Sequence, residues 1–329
     1  MQKKSWRIYI PEIIAPAEPQ REILERIAEI ETGTPKGEAD LISKISRADA
    51  VLITIRTVMT RKIMEACPQL RIIGKYGVGI ENIDVQAATE LGIPVVNVAG
   101  GNSNAVAEMT LGLILAALRG IQESKKYIAI GRWQDQRFMG DELMDSRVGV
   151  VGYGAIGRSV IRKLQGFEVR EILVFTESHG QEKPEFPNVV LTDLNRLLTE
   201  SDIVTLHKSL TPQSKGLIGR AEIGLMKRTA YLINTSRGAL VDEKELIVAL
   251  EEGKIKGAAI DVFDQEPLPR DHPFLSLDNV VLTPHIAAST RNSRLQMVKT
   301  AARNVADFLE GKGINPQYLV NPEVYKAGR

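Results

Sequence analysis

The chain has 329 residues, 43% apolar and 25% charged, with 42 Lys and Arg against 41 Asp and Glu for a net charge of +1. That balance gives no general attraction to nucleic acid or to an acidic membrane, so small-molecule chemistry is the starting expectation. The single cysteine, Cys67, excludes an internal disulfide and fits a reducing, cytoplasmic setting, where it reads as a structural thiol at a helix end. The longest apolar stretch, Ala105 to Leu118, contains Glu108 and is shorter than the roughly 18 residues of a bilayer crossing. At the N-terminus, MQKKSWRIYIPEII is broken by Arg7, Pro11 and Glu12 and leads to no small-residue cleavage site, so no secretion signal is expected.

From the N-terminus, short apolar runs alternate with longer amphipathic ones: RIYI, then residues 18–30; AVLIT, then 61–67; LRIIG, then 84–91; then IPVVNV. Strands apolar throughout, separated by helix-length segments, predict βαβ units and a parallel sheet covered on both faces. Asn102 or Ser103 caps the next helix, through about Leu118. Its sequence AVAEMTLGLILAAL is apolar on almost every face, so it must be buried on all sides, in the core or against another subunit. A second series follows from Arg147: RVGVV, a glycine turn and helix, EILVF, DIVTLH, AYLIN, GAAIDVF and NVVLTPH. Ser289 or Thr290 then opens a last helix through about Leu309. The expected fold is α/β with two doubly wound parallel sheets. Residues 1–101 and 290–329 form one discontinuous domain, residues 102–289 are inserted in it, and ligand is expected in the cleft between the two.

VGVVGYGAIGRSV places Gly152, Gly154 and Gly157 in GxGxxG spacing between a strand and a helix. The first glycine allows a tight turn, the second lets a pyrophosphate approach the backbone, and the third lets the helix pack on the strand. An acidic residue about 20 positions on is expected at the adenosine ribose. EILVF ends in Thr176 and Glu177, and Glu177 lies one position beyond the usual place. Its charge would repel a 2′-phosphate, and only His179 and Lys183 follow nearby. NAD(H) is therefore favoured, with NADP(H) possible.

Three polar residues fall at strand ends, where ligands gather in open α/β sheets. AYLINTSRGALVDE puts Arg237 in a loop ahead of a helix entered through Asp242, AAIDVFDQEP puts Glu266 past another strand, and VVLTPH puts His285 past a third. Singly, each has an ordinary reading as a surface charge, a solvated loop acid or a structural histidine. Together they make a reaction centre. Histidine can exchange a proton with a carbonyl oxygen, a carboxylate beside it fixes its tautomer, and arginine can hold a substrate carboxylate in a two-pronged pair.

NTSRGALVDE, DVFDQEP and TPHIAAST, following VGYGAIG in that order, resemble the signatures of the D-isomer-specific 2-hydroxyacid dehydrogenases, and the likeness runs over nearly the whole chain. The resemblance implies a Rossmann-type NAD(P)-binding domain inserted into a flavodoxin-like substrate domain. Within it, Arg237 meets the substrate carboxylate, Glu266 pairs with the histidine, and His285 is the acid or base. It also implies that Asp261 holds the nicotinamide carboxamide, that Ala155 and Ile156 border the pyrophosphate, and that the protein is a homodimer through its nucleotide lobe. Thr235 and His207, at the ends of AYLIN and DIVTLH, are expected to line the cofactor, although His207 reads equally well as a structural strand-end histidine. No metal is expected.

In KYGVGIENID the backbone of Tyr76, Gly77, Val78 and Gly79 can present N–H groups to a carboxylate, and Asn82 and Asp84 can start a helix. Arg56 and Lys75 add two cations that would suit a phosphorylated acid. The pattern is similar to the 3-phosphoglycerate dehydrogenase branch, although the chain looks too short for that branch's extra regulatory domain. Glyoxylate, hydroxypyruvate, lactate-type and sugar acids stay open as substrates. The carboxyl-terminal-binding corepressors also resemble this pattern, so an NADH-sensing binding protein without turnover is the alternative function.

Overall fold

A computed structural model describes residues 6–12, 18–133, 139–177 and 184–325. His179 and Lys183 lie outside them. The chain divides into two compact units, residues 1–102 with 289–329, and residues 103–288.

The first unit contains strands β1 (Trp6–Ile10), β2 (Ala28–Thr32), β3 (Ala50–Ile53), β4 (Ile72–Lys75) and β5 (Val95–Val96), with helices α1 (Glu18–Leu24), α2 (Glu38–Ile45), α3 (Arg61–Glu65) and α4 (Val85–Glu90). The second holds helices α5 (Ser103–Arg119), α6 (Ile121–Ala129), α7 (Ala155–Leu164), α8 (Leu194–Glu200), α9 (Arg220–Leu225) and α10 (Glu243–Glu251). Its strands are β6 (Arg147–Val151), β7 (Glu171–Phe175), β8 (Val189–Leu191), β9 (Ile203–Leu206), β10 (Tyr231–Asn234), β11 (Gly257–Ile260) and β12 (Val280–Leu282). Helix α11 (Arg291–Leu309) returns the chain to the first unit.

Both sheets are parallel, in the orders β2-β1-β3-β4-β5 and β12-β11-β10-β9-β6-β7-β8. Strand β3 shows why its sequence is apolar throughout. Ala50 and Leu52 join the cluster that includes Leu24 and Val305, Val51 and Ile53 join the one that includes Ile45 and Ile63, and all four are fully buried. In the second unit, one layer is built on Leu197, Ile223 and Leu246, and the other on Leu113, Ile114 and Val160. Helix α5 packs on α7 and on β10 to β12, which buries residues such as Ala107, Leu111 and Ile114, while Met109, Leu115, Ala116 and Ala117 are half-buried and Gly112 is exposed, so its own unit's core covers only part of its apolar surface. Side chains of Thr60, Asp84, Asp193, Asp242 and Thr290 accept from the first turns of α3, α4, α8, α10 and α11. Such caps contribute about 1 kcal/mol each.

Residues 18–30, expected to be one amphipathic segment, are instead α1 followed by the edge strand β2, in which only Ala28 is buried. The three-residue strand β8, at the edge of the other sheet, also falls outside the expected series. Cys67 is buried with its thiol 3.8 Å from the Ile42 carbonyl, and burial pushes the thiol pKa up, as suits an unreactive group. Among the described residues no single helix is long and apolar enough to cross a membrane.

Candidate active site

Strand register assembles the site. Val151 pairs with Phe175 and Leu206, Leu206 with Asn234, Asn234 with Ile260, and Ile260 with Leu282. The next residue of each strand therefore falls in one row along the carboxyl edge: Thr176, Gly152, His207, Thr235, Asp261 and Thr283. The strand order reverses between β6 and β9, beside Gly152, which is where a ligand crevice forms in such sheets.

Each glycine of the turn is required for its own reason. Gly152 has φ +107°, and a Cβ there would lie 2.6 Å from the His207 carbonyl oxygen. Before Gly154, the exposed N-cap of α7, there is open space, and no side chain caps that helix. A Cβ on Gly157 would lie 2.1 Å from the Gly152 carbonyl oxygen. Ala155 and Ile156 complete the accessible first turn, whose N–H groups and positive dipole end suit a pyrophosphate. His207 is buried, its Nε2 lies 2.9 Å from the Thr205 hydroxyl, and its Nδ1 is enclosed with no hydrogen-bond partner among the described residues. Burial pulls its pKa down to about 3, so the ring stays neutral. An open helix terminus, a glycine cradle and an unpartnered buried ring nitrogen fit a dinucleotide. Gly157→Ala is expected to open the turn and weaken NADH binding by about tenfold or more, read by fluorescence titration; unchanged affinity would contradict this role.

At the adenosine end, Thr176 is half-buried and Glu177 is exposed. Glu177 is not the isolated charge the sequence suggests. Its carboxylate lies 2.8 Å from the ammonium of Lys208, which follows His207 and is only 15% exposed. The Lys208 carbonyl in turn accepts from the Ser236 hydroxyl at 2.6 Å.

At the other end of the row, His285 Nδ1 is 2.6 Å from Glu266 Oε2, and the Phe263 N–H donates to Glu266 Oε1 at 3.0 Å. With the ring's Nδ1–H held by the carboxylate, Nε2 is the atom available to exchange a proton with substrate. His285 has φ +52°, unusual for a non-glycine residue. Asp261 holds this turn. It is fully buried, its Oδ1 accepts from the Thr283 hydroxyl (2.6 Å) and the Ile286 N–H (2.9 Å), and its Oδ2 accepts from the Ala287 N–H (2.9 Å). Its carbonyl also accepts from the His285 N–H at 2.8 Å. The carboxylate assigned by resemblance to the nicotinamide carboxamide is thus engaged with the backbone that carries the histidine.

Half-buried Arg237 follows β10, with its guanidinium donating to the Ser236 carbonyl at 2.7 Å and its carbonyl accepting from the Asn234 amide at 2.8 Å. A Cβ on Gly238 would lie 2.1 Å from the Phe263 carbonyl carbon, so the Arg237 loop presses on the same residue that donates to Glu266. Thr235 is buried, its hydroxyl 3.0 Å from that of Thr110.

In the first unit, the carbonyls of Gly77 and Val78 accept from the Val98 N–H and the Asn97 amide. Because trans peptides point N–H opposite to C=O, the N–H groups of Val78 and Gly79 face away from that side. The Tyr76 side chain is buried, its hydroxyl donating to Gln20, and burial raises its pKa. Lys75, expected as a cation for a phosphorylated substrate, turns inward. It is 2% exposed with its ammonium 2.6 Å from Asn82 Oδ1, while the Asn82 amide donates to the Thr54 and Thr57 carbonyls. The loop so braced carries Arg56, which is exposed.

The family model for the D-isomer specific 2-hydroxyacid dehydrogenase NAD binding domain matches residues 111–287. A D-3-phosphoglycerate dehydrogenase of Methanocaldococcus jannaschii is 42% identical over 88% of this chain, which spans only 55% of that protein's length. A glyoxylate reductase of Thermofilum pendens is 40% identical over 98% of this chain and 96% of its own. Among solved structures, a glyoxylate reductase from Paecilomyes thermophila superimposes with a TM-score of 0.87 at 26% identity, over 97% of this chain and 99% of that one. With the histidine and carboxylate already paired at the end of this sheet, these likenesses place the chain in the D-isomer-specific 2-hydroxyacid dehydrogenase family.

Proposed function

We propose that this chain catalyses the reversible reduction of a small 2-keto acid to the D-2-hydroxy acid with NAD(H). The observation that carries the proposal is the 2.6 Å pairing of His285 Nδ1 with Glu266 beside the Arg237 loop. When bound, the nicotinamide supplies or receives the hydride. His285 Nε2 donates the proton that the keto oxygen takes up, Glu266 stabilises the charged ring, and Arg237 holds the substrate carboxylate and polarises its neighbour. The outward N–H groups of Val78 and Gly79 support a second hold on the carboxylate. The substrate class includes glyoxylate and phosphorylated hydroxypyruvate, the latter taken through Arg56. A panel of 2-keto acids assayed with NADH, on wild type and Arg56→Ala, tests both points. Turnover of none of them despite tight NADH binding would replace this reading with a binding-only role, and an equal effect of Arg56→Ala on phosphorylated and plain acids would remove the phosphate contact.

Cofactor choice follows from Glu177 and Lys208. Glu177→Ala removes a negative charge and releases an ammonium in the same place, so both effects favour a 2′-phosphate. The ratio of kcat/KM for NADPH to that for NADH is expected to rise about tenfold. A wild type that already prefers NADPH would contradict the assignment. We also propose a cytoplasmic homodimer, supported by the exposed apolar side chains of Ile121, Ile128, Ile130, Trp133 and Met139 on the nucleotide unit. Light scattering with only a 36.3 kDa species would refute it.

A further inference from the structure

We propose that Glu243 is a positioning residue for the catalytic pair, acting through the loop that carries Glu266; the inference rests on the function proposed for that pair. Glu243 is the first residue of α10, where the helix dipole favours a carboxylate and Asp242 caps the turn. Its two oxygens grip the Glu266 loop at both ends. Oε2 accepts from the Asp264 N–H at 3.3 Å, two residues before Glu266, and Oε1 lies 3.0 Å from His272 Nε2, six residues after it. Both side chains of this second carboxylate–histidine pair are largely buried, at 17% and 13% exposure.

The His272 ring is fixed from its other side. Its Nδ1 accepts from the Phe274 N–H at 3.3 Å, which leaves the proton on Nε2 to be donated to Glu243. The rings of His272 and Phe274 are 5.0 Å apart, and Phe274 packs against Phe263, whose N–H donates to Glu266. A continuous path therefore runs from α10 through the two loop ends to the carboxylate that meets His285. Glu266 itself is more than a third exposed and lies on a loop, so it needs such bracing to stay in register with the imidazole.

Glu243→Gln keeps the shape but leaves one acceptor oxygen for two donors. His272→Asn keeps a cap for Phe274 and is too short to reach Glu243. Each is expected to lower kcat about 10-fold to 100-fold, with NADH affinity and the keto-acid KM within about twofold of wild type. The deciding measurement repeats Glu243→Gln in a Glu266→Gln background. If Glu243 acts through Glu266, the second substitution changes kcat less than about twofold there. An equal fall in both backgrounds, or no fall in wild type, would overturn the inference while leaving the catalytic pair intact. A Glu266→Gln enzyme with full activity would overturn the pair and the inference together.

Discussion

Replacing His285 with alanine is expected to lower kcat by about 10²-fold to 10⁴-fold while leaving NADH affinity within about twofold. The asymmetry follows from where the residue sits. The nucleotide cradle is built at Gly152 to Gly157, on the turn after β6, whereas His285 follows β12 at the far edge of the same sheet. Removing the imidazole deletes the proton donor without touching the turn that receives the pyrophosphate. Glu266 is then left facing a vacancy, but at 37% exposure water can solvate it, so no large loss of fold stability accompanies the loss of rate. Steady-state kcat and an NADH fluorescence titration on the same preparation separate the two quantities. Undiminished turnover would take the proton-transfer role from His285.

The second large effect is expected at Asp261, and it falls on stability as well as rate. Asp261→Ala strands the half-buried Thr283 hydroxyl and two N–H groups, that of Ala287 fully buried, which now share one buried carboxylate. Losing charge-assisted bonds of this kind costs about 3–5 kcal/mol, enough to lower the melting temperature by roughly 10 °C in a domain of this size. The same bonds hold the backbone on either side of His285 at φ +52°, a conformation a histidine does not keep by itself. The Asp261→Ala protein should therefore lose turnover even well below its melting temperature. A variant as stable and as active as wild type would show that the 283–287 turn is held by other means.

Much of this site was legible in the sequence because parallel α/β sheets put function at strand ends, and strand ends can be read from where apolar runs stop. Arg237, Glu266 and His285 each follow such a run, and the glycine spacing announces the nucleotide turn. The edge strands β2 and β8 were not legible. In β2 the pattern AEIET has a period of two, but it is only five residues long and follows directly on an amphipathic helix, and β8 offers three residues. An edge strand buries less, so less apolar sequence marks it. Side-chain pairing between distant segments was equally hidden. Glu177 finds Lys208 on the loop after β9, two strands away, Glu243 finds His272 across β11, and Lys75 turns inward to Asn82. The only local sign of the Glu243 brace is the pairing of His272 with Pro273, a capping residue ahead of a helical proline. Asp261 shows the limit of motif transfer, since its position was evident while its partners, three residues of the following turn, were set by the register of β11 against β12.

In the proposed reaction this chain moves a hydride onto the 2-carbon of a keto acid while His285 supplies the proton. Its most direct test uses NADH deuterated at the transferable position, with glyoxylate and phosphorylated hydroxypyruvate as acceptors, and mass and NMR analysis of the products. One deuterium is expected on the 2-carbon, with none lost to solvent and the D configuration wherever the product is chiral. Product without deuterium at that carbon, or of L configuration, would contradict it.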